Sequence, residues 1–575
     1  MNVATILAAG QGKRFGMDVP KQFVEVLGKP ILAYTLETFQ NSPEINAIQI
    51  VYQPEYKDRI IEIVRNYRID KIRWITAGEI TRSESFRNAV FALRNNLDDD
   101  DIVVAHVGVS PLVSHEDIAS SIAMCEEKGV QLFVKYELLG KTGEKRQTVT
   151  LDERCFDDTA DDLYERRMVQ MLYDLLLELT GYTPPWGILT GVRPAKLMLR
   201  LSQAYGEQAA CAYFRSELRV SDEKIALALA VAKNETPITL QSEPRSFSLY
   251  VSIPFCPSRC SYCSFVSHSN EQAKKLIPDY VSLLCREIAE TADIVKRLDL
   301  HLESVYIGGG TPTALDAPQL QMVTDAIRSH FDLTDETEFT IEAGRPDSVS
   351  DEKFEVIKQA GATRISINPQ TFNDDVLCTI GRKHTGAQTE QALRMARAHG
   401  FHNINMDLIV GLPTDTVPSF RHTLEKTLSF QPENITVHTL AHKRASTLVT
   451  KQLETGSVTA AGEMLSYAMQ RLTQEGYVPY YMYRQSNCLG NLENVGWAKP
   501  SYACRYNVYM MEETHTVLAI GAGAVTKLRS PFSNDLERIF NHKYPYEYMN
   551  RFDELMERKA RIVSFYDEVF AQKGG

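Results

Sequence analysis

The chain has 575 residues, 44% hydrophobic and 24% charged, with a formal net charge of −12. This length exceeds a single hydrophobic core and predicts two to four domains, and the near-average composition excludes wholesale disorder. The acidic balance argues against a general nucleic-acid or membrane-surface binder, so neither partner is expected. The start, "MNVATILAAGQGKRFG", lacks the layout of a signal peptide, and no apolar run approaches a membrane span; a cytoplasmic protein is expected. Ten cysteines in such a chain suggest metal or redox chemistry rather than a disulfide framework.

In chain order, "NVATILA" reads as a short buried strand, followed by a glycine-rich turn at Gly10 and Gly12. "ILAYTLETF" has helical period and "AIQIVYQ" reads as a strand. "IRWITAG", "RSESFRNAVFALRNN" and "DIVVAHVGV" continue the alternation. Strand–helix–strand order predicts an α/β unit over 1–129, a parallel sheet with covering helices. Residues 130–245 form a mostly helical region: a strand at "VQLFVKYELLG", then helices, broken by the loop "GYTPPWGILTGVRPAKL" and closed by a linker at "ETPITLQSEPRS". Alternation returns over 246–445, with strands at "SLYVSIPF", "ESVYIGG", "EFTIEAG", "TRISINP", "INMDLIVG" and "NITVHTL". Six strands with helical crossovers predict a partial or closed β/α barrel. Residues 446–575 read as a C-terminal α+β region with helices and one strand, "HTVLAIGAG".

The densest chemistry is "IPFCPSRCSYCSF", which places Cys256, Cys260 and Cys263 at Cys-x3-Cys-x2-Cys spacing just after a predicted barrel strand. Functional groups gather where barrel strands end. One reading is zinc completed by a distant ligand, but structural zinc sites bring two ligand pairs and no second pair is evident. The spacing suits three irons of a 4Fe–4S cube, leaving the fourth iron open to a small molecule.

This loop resembles the signature of the radical S-adenosylmethionine (SAM) enzymes. The resemblance implies a 4Fe–4S cluster whose open iron is chelated by S-adenosyl-L-methionine, reductive cleavage of SAM to a 5′-deoxyadenosyl radical, and hydrogen abstraction from a substrate. It also implies SAM contacts from Gly309, Gly310 and Thr311 in "YIGGGTPT", where glycine lets the backbone approach closely. Glu342 in "FTIEAGRPD", Arg364 in "RISINPQTF" and Asp407 in "NINMDLIVGLP" stand where the family contacts SAM. Gln370 takes the place of the glutamine in the family's "GVQ", here Asn368-Pro369-Gln370. Tyr250 precedes the loop and is the candidate catalytic contact to SAM or substrate, the alternative being a core aromatic.

"LYVSIPFCPSRCSYCSF", "VYIGGGTPTAL", "RISINPQTFND" and "MDLIVGLPTDT" together resemble the oxygen-independent coproporphyrinogen III oxidase (dehydrogenase) family over about 131–575. "PWGILTGVRPAKL", "YMYRQSNCLGNLENVGWAKP" and "RIFNHKYPYEYM" are similar to its HemZ-like branch. This implies oxidative decarboxylation of two propionates of a tetrapyrrole to give protoporphyrinogen IX in heme biosynthesis, with an electron donor such as a flavodoxin or ferredoxin. A tetra-carboxylate substrate calls for cationic partners; the candidates are Arg193, Arg382, Lys383 and Arg484. A heme carrier, or a radical SAM protein acting on another substrate, is the runner-up. Heme chaperones of the wider family carry "HNxxYW", and here "ENVGW" puts Glu493 where the histidine would stand.

At the other end, "ATILAAGQGKRFGMDVPKQF", "LGKPILAYTLETF" and "TAGEITRSESFRNAV" resemble the 2-C-methyl-D-erythritol 4-phosphate cytidylyltransferase (IspD-like) family, a Rossmann-like nucleotidyltransferase fold. Gly10 and Gly12 would let the loop wrap a triphosphate. Lys13, Arg14 and Lys21 would meet phosphate charge, and Arg82 and Ser85 fall at base-side positions. The family's "HDAARP" is here "HVGVSP", with Val107 for the aspartate and Ser110 for the arginine. Valine cannot coordinate a hard cation, so nucleotide transfer is not expected; residual nucleotide binding or a relict that only packs are the alternatives. The family's later segment is expected to be missing after about Gly129.

Overall fold

The computed structural model describes residues 1–9, 20–78, 82–94, 96–98, 101–108, 113–125, 130–138, 141–263, 268–269, 273–443, 446, 456–485 and 487–574. The chain divides into two compact units, Met1–Thr183 and Pro184–Gly575.

In the first unit β1 (Asn2–Leu7), β2 (Ala47–Tyr52), β3 (Ile72–Ala77) and β4 (Ile102–Val107) form a parallel sheet in the order β3-β2-β1-β4. Interior β2 is buried along its whole length, as a strand covered on both faces must be. The helix Ile31–Asn41 presents Leu32 and Leu36, one turn apart, to Ile6, Ile48 and Ile50. Beyond the sheet, an antiparallel hairpin of β5 (Val130–Leu138) and β6 (Lys141–Val149) packs Leu132 and Val149 against Leu163 and Met171 of the helix Ala160–Thr180. A Thr159–Asp162 capping box opens that helix and left-handed Gly181 (φ 67°) closes it. β6 was not legible in the sequence, because "KTGEKRQTV" has almost no apolar residue to mark a face.

The region 130–245 is therefore shared. The hairpin and the helix Ala160–Thr180 belong to the first unit, and the helices Pro194–Tyr205, Glu207–Ser216 and Asp222–Thr239 to the second. The stretch expected as a linker starts as helix: Asp222–Thr239 runs through Pro237, anchored by buried Ile225, Ala228, Val231 and Ala232.

The second unit is organised by one sheet of 11 strands. Six lie parallel and adjacent in chain order: β7 (Ser246–Ile253), β8 (His301–Gly309), β9 (Glu338–Glu342), β10 (Arg364–Ser366), β11 (Ile404–Val410) and β12 (Asn434–Thr439). These are the six strands read from the sequence. Their ring is not closed. β13 (Val478–Arg484) and β14 (Glu493–Ala498) extend the β12 edge antiparallel. β15 (Thr516–Ile520) adds parallel to β7, followed by antiparallel β16 (Val525–Arg529) and β17 (Leu536–Phe540). The full order is β13-β14-β12-β11-β10-β9-β8-β7-β15-β16-β17. The barrel is thus partial, and four of the five C-terminal strands went unread. Val251, Ile253, Val305, Ile307, Ile341 and Ile365 from the strands meet Leu284, Ile288, Val323 and Ile327 from the covering helices in the core.

One polar knot ties this core together. Buried Glu287, on the helix Ile277–Leu298, accepts from the Gly521 amide (2.8 Å), Asn541 Nδ2 (3.0 Å) and the Tyr548 hydroxyl (2.7 Å), and pairs with Lys559 Nζ at 3.0 Å. All its lone pairs are thereby used, the condition for burying a charge. Among the described residues, no helix is long and apolar enough to cross a membrane.

Candidate active site

The C-terminal ends of the six parallel strands open into a cavity of about 620 Å³. Strand alternation decides what reaches it. On β11, Asn405, Asp407 and Ile409 line the cavity, while Met406, Leu408 and Val410 are fully buried behind them. Tyr250 and Tyr306 are register partners on β7 and β8, and both line it.

The cysteine loop leaves β7 and brings Cys256, Cys260 and Cys263 to the same cavity. Its shape is held from three sides. The Ser261 amide donates to the Ile380 carbonyl (2.9 Å), and Cys256 Sγ lies 3.3 Å from Thr311 Oγ1. Arg345, 3% exposed, donates to the Ser258 carbonyl (3.1 Å) and to Ser258 Oγ (3.0 Å), and its Nη1 approaches Cys260 Sγ at 3.8 Å. The glycine loop presses against this segment: a Cβ on Gly310 would stand 2.6 Å from the Phe255 carbonyl oxygen, and Gly309 has a φ of 108°. The glycines are therefore required first by chain-to-chain packing under the cysteine loop.

Deeper in the cavity, Glu342 accepts from the Tyr306 hydroxyl at 2.6 Å. Burial pushes its carboxyl up to about 7, reinforced by Asp407 and opposed by Tyr306, Arg364 and His438. Burial would also raise Asp407, but His438, Asn405 and Arg364 outweigh it and hold that carboxyl below its usual value; Asn405 Nδ2 donates to it at 2.7 Å. Tyr250, Tyr306 and Tyr506 stack in a cluster, with ring centroids 6.3, 6.2 and 4.5 Å apart. Burial raises the Tyr250 hydroxyl, so it remains a proton-bearing donor.

Several polar atoms here have no partner. Arg364, 1% exposed, leaves Nε and Nη2 without a hydrogen bond, as do Gln370 at Oε1 and Arg382 at Nε. Gln370 is held with φ 67° by reciprocal bonds to β11: its amide donates to the Asp407 carbonyl (2.9 Å), and the Ile409 amide donates to its own carbonyl (3.0 Å). Orphaned buried polar groups cost about 1–3 kcal/mol each, and these are aimed at one space. Among the described residues, no three His, Cys, Asp or Glu side chains gather closely enough to hold a single metal ion.

Cys256, Cys260, Cys263, Tyr250, Gly309, Gly310, Thr311, Glu342, Arg364, Gln370, Asp407 and Arg382 all line this cavity. Three expected carboxylate partners do not. Arg193 is spent on Glu513, 2.7 Å away. Arg484 donates to the carbonyls of Leu189 (2.5 Å) and Asn491 (3.0 Å) and lies over the Trp186 ring. Lys383 is exposed and absent from the lining. Arg382 is there, but beside the cysteine loop, donating to the Asn368 carbonyl at 2.8 Å. The sequence reading passed over Tyr262, Arg345, His438, Lys443, Tyr481 and Tyr483, which also line the cavity. Tyr262 stands between two cysteines of the motif and Arg345 just past a strand end, so both had a local signal. Glu493 is not at the cavity surface. It is buried, bonded to Lys224 Nζ (2.6 Å) and Trp186 Nε1 (2.7 Å).

In the first unit, Gly10, Gly12, Lys13 and Arg14 lie outside the described residues, as do Ser110 and the side chain of Arg82. Lys21 sits in the turn Lys21–Phe23. Ser85 is buried, its Oγ 3.0 Å from where a Cβ on Gly78 would stand. Val107 ends β4 beside Leu7 of β1.

Comparison with known proteins agrees with this geometry. Residues 250–427 match the Radical SAM superfamily. Residues 2–144 match 2-C-methyl-D-erythritol 4-phosphate cytidylyltransferase, so that likeness runs through β5, past the boundary expected near 129. The chain is 36% identical over 403 residues to the oxygen-independent coproporphyrinogen-III oxidase-like protein HemZ of Bacillus subtilis, covering 69% of this chain and 80% of that protein. It is 31% identical over 318 residues to the heme chaperone HemW of Haemophilus influenzae, covering 54% and 78%. Among solved structures, coproporphyrinogen III oxidase (HemN) of Escherichia coli is 23% identical, with 67% of this chain and 78% of that chain covered and a TM-score of 0.45. The sequence matches define a radical SAM protein preceded by an IspD-like nucleotidyltransferase region. Within that class, the chain belongs to the HemZ/HemN-like radical SAM family. Its cofactors are those of the superfamily, a 4Fe–4S cluster and SAM, and the thiols and orphaned polar atoms of the cavity suit them.

Proposed function

We propose that this protein is an oxygen-independent oxidoreductase that converts two propionates of coproporphyrinogen III to vinyl groups, forming protoporphyrinogen IX. The observation that carries this reading is the shared cavity: three cysteines, a row of unpartnered polar atoms and a tyrosine cluster open into one space. The likeness to the HemZ protein supports the choice of substrate.

In this reading Cys256, Cys260 and Cys263 ligate three irons. Gly309, Gly310, Thr311, Glu342, Arg364, Gln370 and Asp407 hold SAM, with the free N–H groups of Arg364 and the Gln370 carbonyl oxygen as polar anchors. When bound, cluster and SAM supply one-electron hydrogen-abstraction chemistry, fed by a donor of the flavodoxin or ferredoxin kind. Tyr250, kept protonated by burial, donates a hydrogen bond without acting as a base. Lys443, just past the end of β12, is the cavity cation best placed for a substrate carboxylate. After hydrogen abstraction, each vinyl group would form by loss of carbon dioxide and transfer of one electron to an external one-electron acceptor.

The HemW likeness raises a second reading, a heme carrier. Glu493 speaks against it, since its carboxylate is already committed to Lys224 and Trp186. The deciding experiment is anaerobic reconstitution with iron and sulfide, then reduction with SAM and coproporphyrinogen III. Protoporphyrinogen IX and its mono-vinyl precursor should appear with SAM consumption. SAM cleavage without porphyrinogen product would sink the substrate assignment, and stoichiometric heme binding without SAM cleavage would establish the carrier.

A further inference from the structure

We infer that Arg345 sets the reduction potential of the cluster; this rests on the cluster reading and is independent of the substrate. Arg345 lies outside the cysteine motif, three residues past Glu342 at the end of β9. Its guanidinium is almost wholly buried, yet each of its nitrogens has a defined use. Asp347 grips it as a fork, Oδ1 to Nε and Oδ2 to Nη2, both at 2.9 Å. Nη1 donates to the Ser258 carbonyl (3.1 Å) and Nη2 to the Ser258 hydroxyl (3.0 Å). Nη1 also points at Cys260 Sγ, 3.8 Å away. The ion pair is thus oriented with its positive end toward the sulfur and its negative end behind.

Reduction adds negative charge to a cluster and to its thiolate ligands. An N–H donor and a fixed cation at a ligand sulfur favour the reduced form, and hydrogen bonds to the sulfurs are among the determinants of cluster potential. Burial strengthens the effect, because water does not screen the charge. Arg382 also faces Cys260, so Arg345 supplies part of the field rather than all of it.

The test is a redox titration of the reconstituted full-length protein, followed by electron paramagnetic resonance of the reduced cluster, without SAM or substrate. Arg345→Gln should move the midpoint to more negative potential and cut the reduced-to-oxidised ratio at a fixed poise about tenfold, or about 59 mV for one electron. Asp347→Asn keeps the arginine and removes its counter-charge, so its midpoint should move the opposite way. Iron and sulfide content show whether each variant holds its cluster. If Arg345→Gln cannot retain a cluster, a positive shift in Asp347→Asn still supports the inference. Wild-type midpoints in cluster-bearing variants, or an unshifted Asp347→Asn protein, would overturn it.

Discussion

Both units end a parallel sheet at a candidate site, and the two sheet ends differ in what they leave unsatisfied. In the second unit the cavity at the strand ends is lined by Arg364, Gln370 and Arg382, each with a buried polar atom that has no partner. In the first, the described strand ends are apolar or packed: Leu7 lies beside Val107, and Gly78 lets Ser85 and Ala9 close in. None of the unpartnered buried polar atoms among the described residues lies at those ends. A fold keeps such costly groups where a ligand will satisfy them.

The most forceful way to break this contrast is to remove a thiol. Cys256→Ala should reduce reconstituted iron to near background and abolish SAM cleavage. A variant that keeps its full cluster and activity would remove the basis for the site. Next in size, Gly310→Ala should push the glycine loop off the Phe255 backbone, costing about 1–3 kcal/mol as an overpacked site. Its melting temperature should fall and its iron content drop with it; an unchanged melt and full iron loading would show that the loop has room to spare.

Glu342 sharpens the contrast through pH. Its carboxyl is raised from 4.5 to about 7 in the folded chain, so the native state holds the proton more tightly. Stability from this group is present below about 4.5 and is lost as pH rises to about 7. Glu342→Gln should lack that loss and melt higher than the parent at pH 8, measured by thermal unfolding without SAM. Equal differences between the two proteins at pH 4.5 and pH 8 would contradict it. The smallest expected signal is in the first unit: CTP and methylerythritol phosphate should give no turnover above the blank, because Val107 offers no oxygen to a divalent cation. Measurable pyrophosphate release would restore that sheet end as an active site.

The sequence revealed what depends on local chemistry. Three cysteines within eight positions, and polar residues at the ends of apolar strands, keep their meaning wherever the chain goes. Arg193 and Arg484 carry no such signal, since an arginine reads the same whether it meets Glu513, a backbone carbonyl or a substrate. The second and third dimensions also hid the C-terminal strands. β13 carries Pro479, which reads as a strand breaker but is tolerated because β13 is the outermost strand of the sheet. "LERIF" is a five-residue strand at the opposite edge, too short for its period to stand out.

That edge arrangement has a consequence for synthesis on the ribosome. β7 waits for β15, with Ser248 pairing Val517, and β12 waits for β14, with Val437 pairing Val495. Until residues 493–520 emerge, a nascent barrel carries two bare strand borders, both of the kind that captures other chains. Glu287 likewise stays an unpaired charge until Lys559 arrives. Residues 493–559 thus complete the barrel, and a chain cut before them would be a sticky, charge-frustrated intermediate rather than a smaller stable protein.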